Sequence, residues 1–180
     1  MIIAGIDPGT QRAGYAVISV QGSLIEIKDL GYWNLLGRGP RPCLGTRLEQ
    51  LAVHTRELFK RWNPHMIGFE KVVTFRNVAS AHALSEARGV IRLVAYETLA
   101  SASERFVELS PTSVKKEASG FGQASKEGVR RGLGLRFRNL ESFVGESELS
   151  ADAFDALAVA WTAWVLKGRY RLAEARLAPV

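Results

Sequence analysis

The chain has 180 residues, 47% of them hydrophobic and 23% charged, a balance that fits a globular protein and excludes a disordered one. That length holds one domain with its own core and needs no disulfide staple; the single cysteine, Cys43, excludes an internal disulfide and fits a reducing compartment, the cytoplasm. No apolar run reaches the ~18 residues of a membrane-spanning helix, and the N-terminus lacks a secretory-type basic leader.

Residues 2–7, Ile-Ile-Ala-Gly-Ile-Asp, read as a buried strand that Pro8-Gly9-Thr10 turns away. Residues 14–20 form a second strand, Gln21-Gly22 signals a tight hairpin, and 24–30 alternates as a half-exposed third strand. Residues 34–43 are too rich in Gly and Pro for an element. A helix follows, with Leu44, Leu48, Leu51, Leu58 and Phe59 at helical spacing, and Asn63-Pro64 stops it. Met66–Glu70 is a short fourth strand, whose position after a helix predicts a parallel return beside the first. After a loop at 71–77, residues 78–97 are helical. Leu84, Ala87, Ile91, Val94 and Ala95 lie on one stripe, widened by Val78, Ala81 and Val90. Residues 106–110 make a fifth strand, and Pro111 opens a short helix. Gly120–Ala124 is a loop and Ser125 is an N-cap residue for a basic helix over 126–138. An acidic loop at 139–149 precedes the last long helix, 151–167.

This order, three strands in a meander and then two crossovers, predicts an α/β fold of the ribonuclease H-like kind. Its sheet has five strands, three antiparallel and then two parallel, flanked by helices. Residues 1–167 read as one domain of this fold and 168–180 as a basic C-terminal tail.

Four carboxylates stand where structural charge is poorly placed. Asp7 and Glu70 end the first and fourth strands, and Asp152 and Asp155 open the last helix. The parallel pairing puts Asp7 and Glu70 at the same sheet end. The i, i+3 spacing puts Asp152 and Asp155 on one helix face, ~5–6 Å apart. Hard cations such as Mg²⁺ take oxygen ligands, and two such metals serve an in-line phosphoryl displacement. Negative charge on a helix's first turn is also favoured for its own sake, so the strand-end pair carries the argument. Charge elsewhere is uneven. Residues 34–61 hold six Lys/Arg against two Glu, 115–138 hold seven against two, and 139–164 hold five acids and no base. Two basic zones framing an acidic cluster suggest a phosphate-binding surface around a metal site; each zone alone reads equally well as solvated helix faces. Acidic metal ligands inside a chain of net charge +6 point to a nuclease.

Five segments in order resemble the RuvC family of Holliday-junction resolvases, over roughly residues 1–165. They are Gly5-Ile-Asp-Pro-Gly-Thr10 with Gly14-Tyr15; Phe69-Glu70; Ala87-Arg-Gly-Val90; Val114-Lys115 with Gly120-Phe-Gly122 and Lys126; and Asp152-Ala-Phe-Asp155-Ala-Leu-Ala158. The resemblance implies a homodimeric crossover junction endodeoxyribonuclease that nicks a four-way DNA junction symmetrically, in recombination and repair. It assigns metal and catalytic roles to Asp7, Glu70, Asp152 and Asp155, with two Mg²⁺ per subunit and Mn²⁺ as a substitute. Lys115 and Lys126 take catalytic support and phosphate contact, where a cation offsets charge developing in the transition state. DNA-contact candidates are Phe75, Arg76, Lys115, Lys116, Lys126 and Arg130. The family often carries a stacking aromatic three positions after the motif glutamate; here that position is Val73, and Phe75 is the nearest ring, able to stack on an unpaired base. The resemblance further implies pairing through the 78–97 helix and RuvA and RuvB as partners.

Three other readings compete. Asp-Pro-Gly-Thr resembles the phosphate loop of actin-like nucleotide-binding proteins, but those need two such domains. A related ribonuclease H-like nuclease acting on RNA is a second, disfavoured by the Lys115–Lys126 segment and the Asp152/Asp155 spacing. A DNA-binding module without catalysis is a third, which the intact acidic set argues against.

Overall fold

The computed structural model describes residues 1–71, 78–144 and 150–168. Strands β1 (Ile2–Asp7), β2 (Arg12–Gln21) and β3 (Leu24–Asn34) form the meander. A two-residue turn joins β2 to β3, with Gly22 at φ +62°, where a side chain would be strained. Helix α1 (Leu44–Trp62) ends on Asn63 in the left-handed region, and Pro64 follows. It leads to β4 (Met66–Glu70), helix α2 (Val78–Thr98) and β5 (Phe106–Leu109). The strand order is β3-β2-β1-β4-β5: β1 is central, antiparallel to β2 and parallel to β4, and β4 is parallel to β5. The predicted sheet is therefore the observed one.

Three helices follow. Helix α3 (Pro111–Ser119) is capped by Ser110, whose hydroxyl accepts from the Ser113 amide at 3.1 Å. Helix α4 (Lys126–Arg136) is capped by Ser125, accepting from the Gly128 amide at 3.2 Å. Helix α5 (Ala151–Ala163) is capped by Ser150, accepting from the Ala153 amide at 3.3 Å.

The sheet divides two cores. On one face α1 and α2 bury Leu51, Phe59, Ile91 and Val94 against Ile6, Val17, Ile67 and Phe69. On the other, α5 lies on the sheet and α3 and α4 pack behind it, around Leu133, Phe137, Phe154 and Leu157. Alternation along β4 makes the division legible, since Phe69 faces α2 and Gly68 faces α5.

Helix α5 touches the sheet at glycines. A Cβ at Gly5 would overlap the Ala156 carbonyl oxygen and the Ala160 amide, and one at Gly14 would overlap the Asp152 carbonyl. A Cβ at Gly68 would stand 2.9 Å from Val159 Cγ1. The helix answers with Ala153, Ala156, Ala160 and Ala163, all fully buried. Small residues on both sides bring the two backbones together.

Three expectations shift. The third strand runs on to Asn34 rather than ending at residue 30, because Gly31–Asn34 continue to pair with Tyr15–Arg12 and Trp33 stacks on Tyr15 (4.8 Å) and His54 (5.7 Å). The last helix gives way at Trp164–Gly168 to a wider π-turn, where the buried Trp164 ring lies over Gly168. The apolar stripe on α2 packs on its own sheet: Ala87, Ile91, Val94 and Ala95 are buried, so Ile91 belongs to the core and cannot face a partner. The most outward apolar residues are Val78, 69% exposed, and Leu93 and Tyr96, each 59% exposed.

Gly5→Ala is expected to lower stability by about 2–3 kcal/mol, as overpacking against rigid backbone does. Urea unfolding measures it. Gly134→Ala, where a Cβ meets nothing within 4 Å, is the control and is expected to be neutral or slightly stabilising.

Candidate active site

The central parallel pair builds the site. Ile6 lies opposite Phe69, so Asp7 and Glu70 are the next residues along adjacent strands, which run ~4.8 Å apart. Asp7 pairs with Gly14 on its other side, and the first turn of α5 rests on Gly14 through the Asp152 carbonyl. The missing Cβ at Gly14 thus sets how near the helix acids come to the strand acids. A cavity of about 210 Å³ opens there, lined by Asp7, Glu70, Lys115, Lys126 and Asp155 with Pro111, Val114, Val129 and Ala158. Asp152 does not line it, but its charge still acts on Asp7. A larger depression of about 450 Å³, between the β2–β3 hairpin and Trp161, holds no comparable cluster of acids.

The acids repel one another. Burial, then Asp155, Glu70 and Asp152, push the Asp7 carboxyl up to about 7, with Lys126 opposing. Burial and Asp155 raise Glu70, with Lys115 opposing. Lys126 Nζ stands 3.2 Å from Asp155 Oδ2. That ion pair is open to water, so it adds well under about 1 kcal/mol of stability. Among the described residues, no three His, Cys, Asp or Glu side chains already stand in a metal-ligating arrangement. The donor chemistry nonetheless suits a hard divalent cation: the four acids offer only oxygen, and their crowding is the charge such an ion would offset.

Lys115 and Lys126 are exposed at the mouth, on α3 and at the start of α4, and Lys116 is exposed beside them. Arg130 packs its guanidinium 4.3 Å from the centre of the Phe154 ring, on the same side of the sheet. Phe75, Arg76 and Val73 lie outside the described residues. The 34–61 basic zone is less available for phosphate than its composition suggests. Arg47 is 7% exposed and donates to the Thr10 carbonyl, Arg56 pairs with Glu97 at 2.8 Å, and Arg61 approaches Asp29 at 3.6 Å.

Two arginines that sequence reasoning counted only as charge, or as part of a motif, support the strand ends. Arg47 of α1 holds the turn after Asp7. Arg88 of α2 donates through Nη1 to the backbone carbonyl of Glu70 and through Nη2 to Glu108 Oε1 at 2.8 Å. An arginine on the inward side of an amphipathic helix was the available signal for both.

The family model for crossover junction endodeoxyribonuclease RuvC matches residues 3–163. The chain belongs to this family. The RuvC of Synechococcus sp. (strain CC9605) is 34% identical over 165 residues, covering 92% of this chain and 99% of that protein. The RuvC of Petrotoga mobilis (strain DSM 10674 / SJ95) is 32% identical over 161 residues, covering 89% and 91%. The fold is similar to Thermus thermophilus RuvC solved with a Holliday junction substrate, at TM-score 0.77 and 23% identity over 95% of this chain and 96% of that one. It is also similar to the yeast mitochondrial Holliday junction resolvase, at TM-score 0.65 and 18% identity over 97% and 83%. RuvC nucleases are metal-dependent as a class, in keeping with an all-oxygen site. These matches favour neither the actin-like nor the RNA-directed alternative.

Asp7 generates a test on the protein without DNA. Its carboxyl is raised above the unfolded value of 3.8, so the folded state binds more protons between about pH 4 and 7, and stability falls as pH rises through that window. In chelator, wild type is expected to lose about 1–3 kcal/mol between pH 5 and pH 8 through this group. Asp7→Asn is expected to lack that loss, so it should melt higher than wild type at pH 8, and by a smaller margin at pH 5. Equal pH dependence of the two proteins would show that Asp7 is not held in this repulsive cluster.

Proposed function

We propose that this chain is a metal-dependent, structure-selective endodeoxyribonuclease that resolves four-way (Holliday) DNA junctions by paired symmetric nicks in recombination and repair. The observation that carries the reading is the cavity in which acids from β1, β4 and α5 meet lysines from α3 and α4. Asp7, Glu70, Asp152 and Asp155 would hold two Mg²⁺ per subunit, with Mn²⁺ as a substitute. Divalent metal, when bound, supplies positive charge at the attacking and leaving oxygens of an in-line displacement.

The chain's own groups do the rest. Lys115 and Lys126, at the mouth of the cavity, pull a phosphodiester toward the acids and offset its charge. Lys116 and Arg130 extend the positive surface along α3 and α4, while Phe75 and Arg76, in the segment after β4, are proposed contacts to the DNA. Val114, Val129, Pro111 and Ala158 form the apolar wall of the cavity, which limits water around the reacting phosphate. Residues 1–167 act as one nuclease unit and 168–180 as a basic tail. RuvA and RuvB are proposed partners, in the cytoplasm.

A junction has two strands to cut at equivalent positions, which suits a two-fold homodimer. The proposed interface is the outward side of α2, where Leu93 and Tyr96 are exposed and Gly89 leaves open space.

A labelled mobile four-way junction and a matched linear duplex, each with Mg²⁺ or EDTA, test the central reading. Wild type should nick only the junction and only with Mg²⁺, and still bind it in EDTA. Asp7→Asn should bind and lose cleavage by at least about a thousandfold, the scale of removing a metal-holding charge. Cleavage in EDTA, or equal cleavage of the duplex, would sink the proposal.

Lys115→Ala and Lys126→Ala should each slow cleavage. Removing one phosphate-binding charge should also flatten the salt dependence of binding by about one unit of slope. Unchanged rates and slopes would return both lysines to plain surface charge.

Leu93→Asp should give a folded monomer by sedimentation. On a cruciform plasmid it should yield open circles, where wild type yields linear molecules. A dimeric variant that still linearises the plasmid would place the interface elsewhere.

A further inference from the structure

Glu70 is the last residue of β4, and a strand end is a poor anchor for a working side chain. Ladder bonds hold the residues before it. Just past it, the Lys71 amide donates to the Leu109 carbonyl at 2.7 Å. The carbonyl of Glu70 itself is taken by Arg88 Nη1, from α2. Side chains alternate along β4, so Phe69 points to the α2 layer and Glu70 to the opposite layer, into the cavity. Arg88 therefore grips the strand from behind. Its guanidinium lies 5.5 Å from the centre of the Phe69 ring, and its other arm is fixed by Glu108 on β5, which Arg92 also holds at 2.7 Å. The side chain of Arg88 is only 12% exposed. A buried cation of this kind is retained only with its bonds satisfied.

We infer that Arg88 is a positioning residue for the Glu70 carboxylate, fixing it through the backbone and so setting how well the site takes a divalent metal. This rests on the proposal that Glu70 helps hold metal. Arg88 touches neither the cavity nor the proposed DNA surface. Its effect passes through the carbonyl: with that oxygen released, the peptide plane after Glu70 is held on one side only, by the Lys71 amide on Leu109, and the carboxylate spreads over more positions. Metal affinity then falls because the site must be ordered as the ion binds. Arg88 also sits one residue before Gly89, on the helix whose outward side is the proposed dimer face. Pairing of subunits there would stiffen the same helix that holds Glu70.

The test has a readout that needs no DNA: the rise in melting temperature as Mn²⁺ is titrated into the chelated protein. Arg88→Met keeps an unbranched apolar stem over Phe69 and removes both donors. It should raise the Mn²⁺ concentration for half the effect at least fivefold. It should also slow cleavage at saturating junction at least tenfold, leaving junction affinity in EDTA within twofold of wild type. Glu108→Gln keeps an acceptor for Arg88 and leaves the Glu70 contact intact, so it should stay within twofold of wild type in both. If Arg88→Met does not fold, Arg88→Gln, too short to reach the carbonyl, carries the same expectations. A folded variant with unchanged Mn²⁺ dependence overturns the inference, and so does a loss in Glu108→Gln as large as in Arg88→Met, which would assign the effect to the ion pair. If wild type shows no Mn²⁺ shift, the metal proposal falls and this inference with it. A wild-type shift that Arg88→Met leaves untouched removes this inference alone.

Discussion

Helix α5 lies directly on the sheet, backbone against backbone, and the acidic end of the molecule depends on that contact. An ordinary helix-on-sheet layer keeps its distance through side chains. Here Gly5, Gly14 and Gly68 remove those of the sheet, and Ala156, Ala160 and Ala163 reduce those of the helix. The consequence is local and specific. Gly14 pairs with Asp7, so the helix end that settles on Gly14 carries its acids to the end of β1. The same small residues that fill a core thus place charge beside charge.

That placement is destabilising, and the molecule does not relieve it alone. Asp7 is pushed to about 7 by burial and by three acids from two other elements. Lys126 opposes part of it, as Lys115 does at Glu70, but both are exposed, and water screens what they offer. A site whose acids are crowded beyond the reach of its own cations is prepared for positive charge from outside. Natural sequences violate local rules where function requires it, and the rest of the fold compensates. The two cores, one on each face of the sheet, supply that stability.

The sequence makes the sheet legible because each strand differs in period or boundary from what flanks it. Ile2–Asp7 and Met66–Glu70 are short apolar runs bounded by Pro, Asn and charge, and their ends agree with the structure to the residue. Asp7 and Glu70 stand out for a related reason, since acids at strand ends have no structural use, whereas Asp152 and Asp155 stand out only by their spacing beside them. What escapes is whatever depends on the third dimension. Tyr32 and Trp33 pair as strand although Gly31 precedes them, because β2 offers an unpaired edge that propensity does not register. Ile91 looks like one apolar position among many on α2, and only packing decides that it faces the sheet and Leu93 faces out. Asp152 and Asp155 share a helix face by spacing, yet only Asp155 lines the cavity.

Charge is where composition misleads most. The 34–61 and 115–138 zones look alike when counted, but their arginines have different roles. Arg47, and Arg88 outside either zone, are used inside the fold on the carbonyls of Thr10, in the turn after Asp7, and of Glu70 itself. Both come from the α1–α2 layer, on the face away from the cavity. A guanidinium is suited to this, because its planar fork can bond a carbonyl with one arm and remain anchored with the other. The sheet thus acts as a partition: acids project to one side, into the cavity, and arginines on the other side hold the backbone from which they project. Had those arginines lain on the cavity side, their charge would have paired with the carboxylates and removed the crowding that makes the site receptive to a cation.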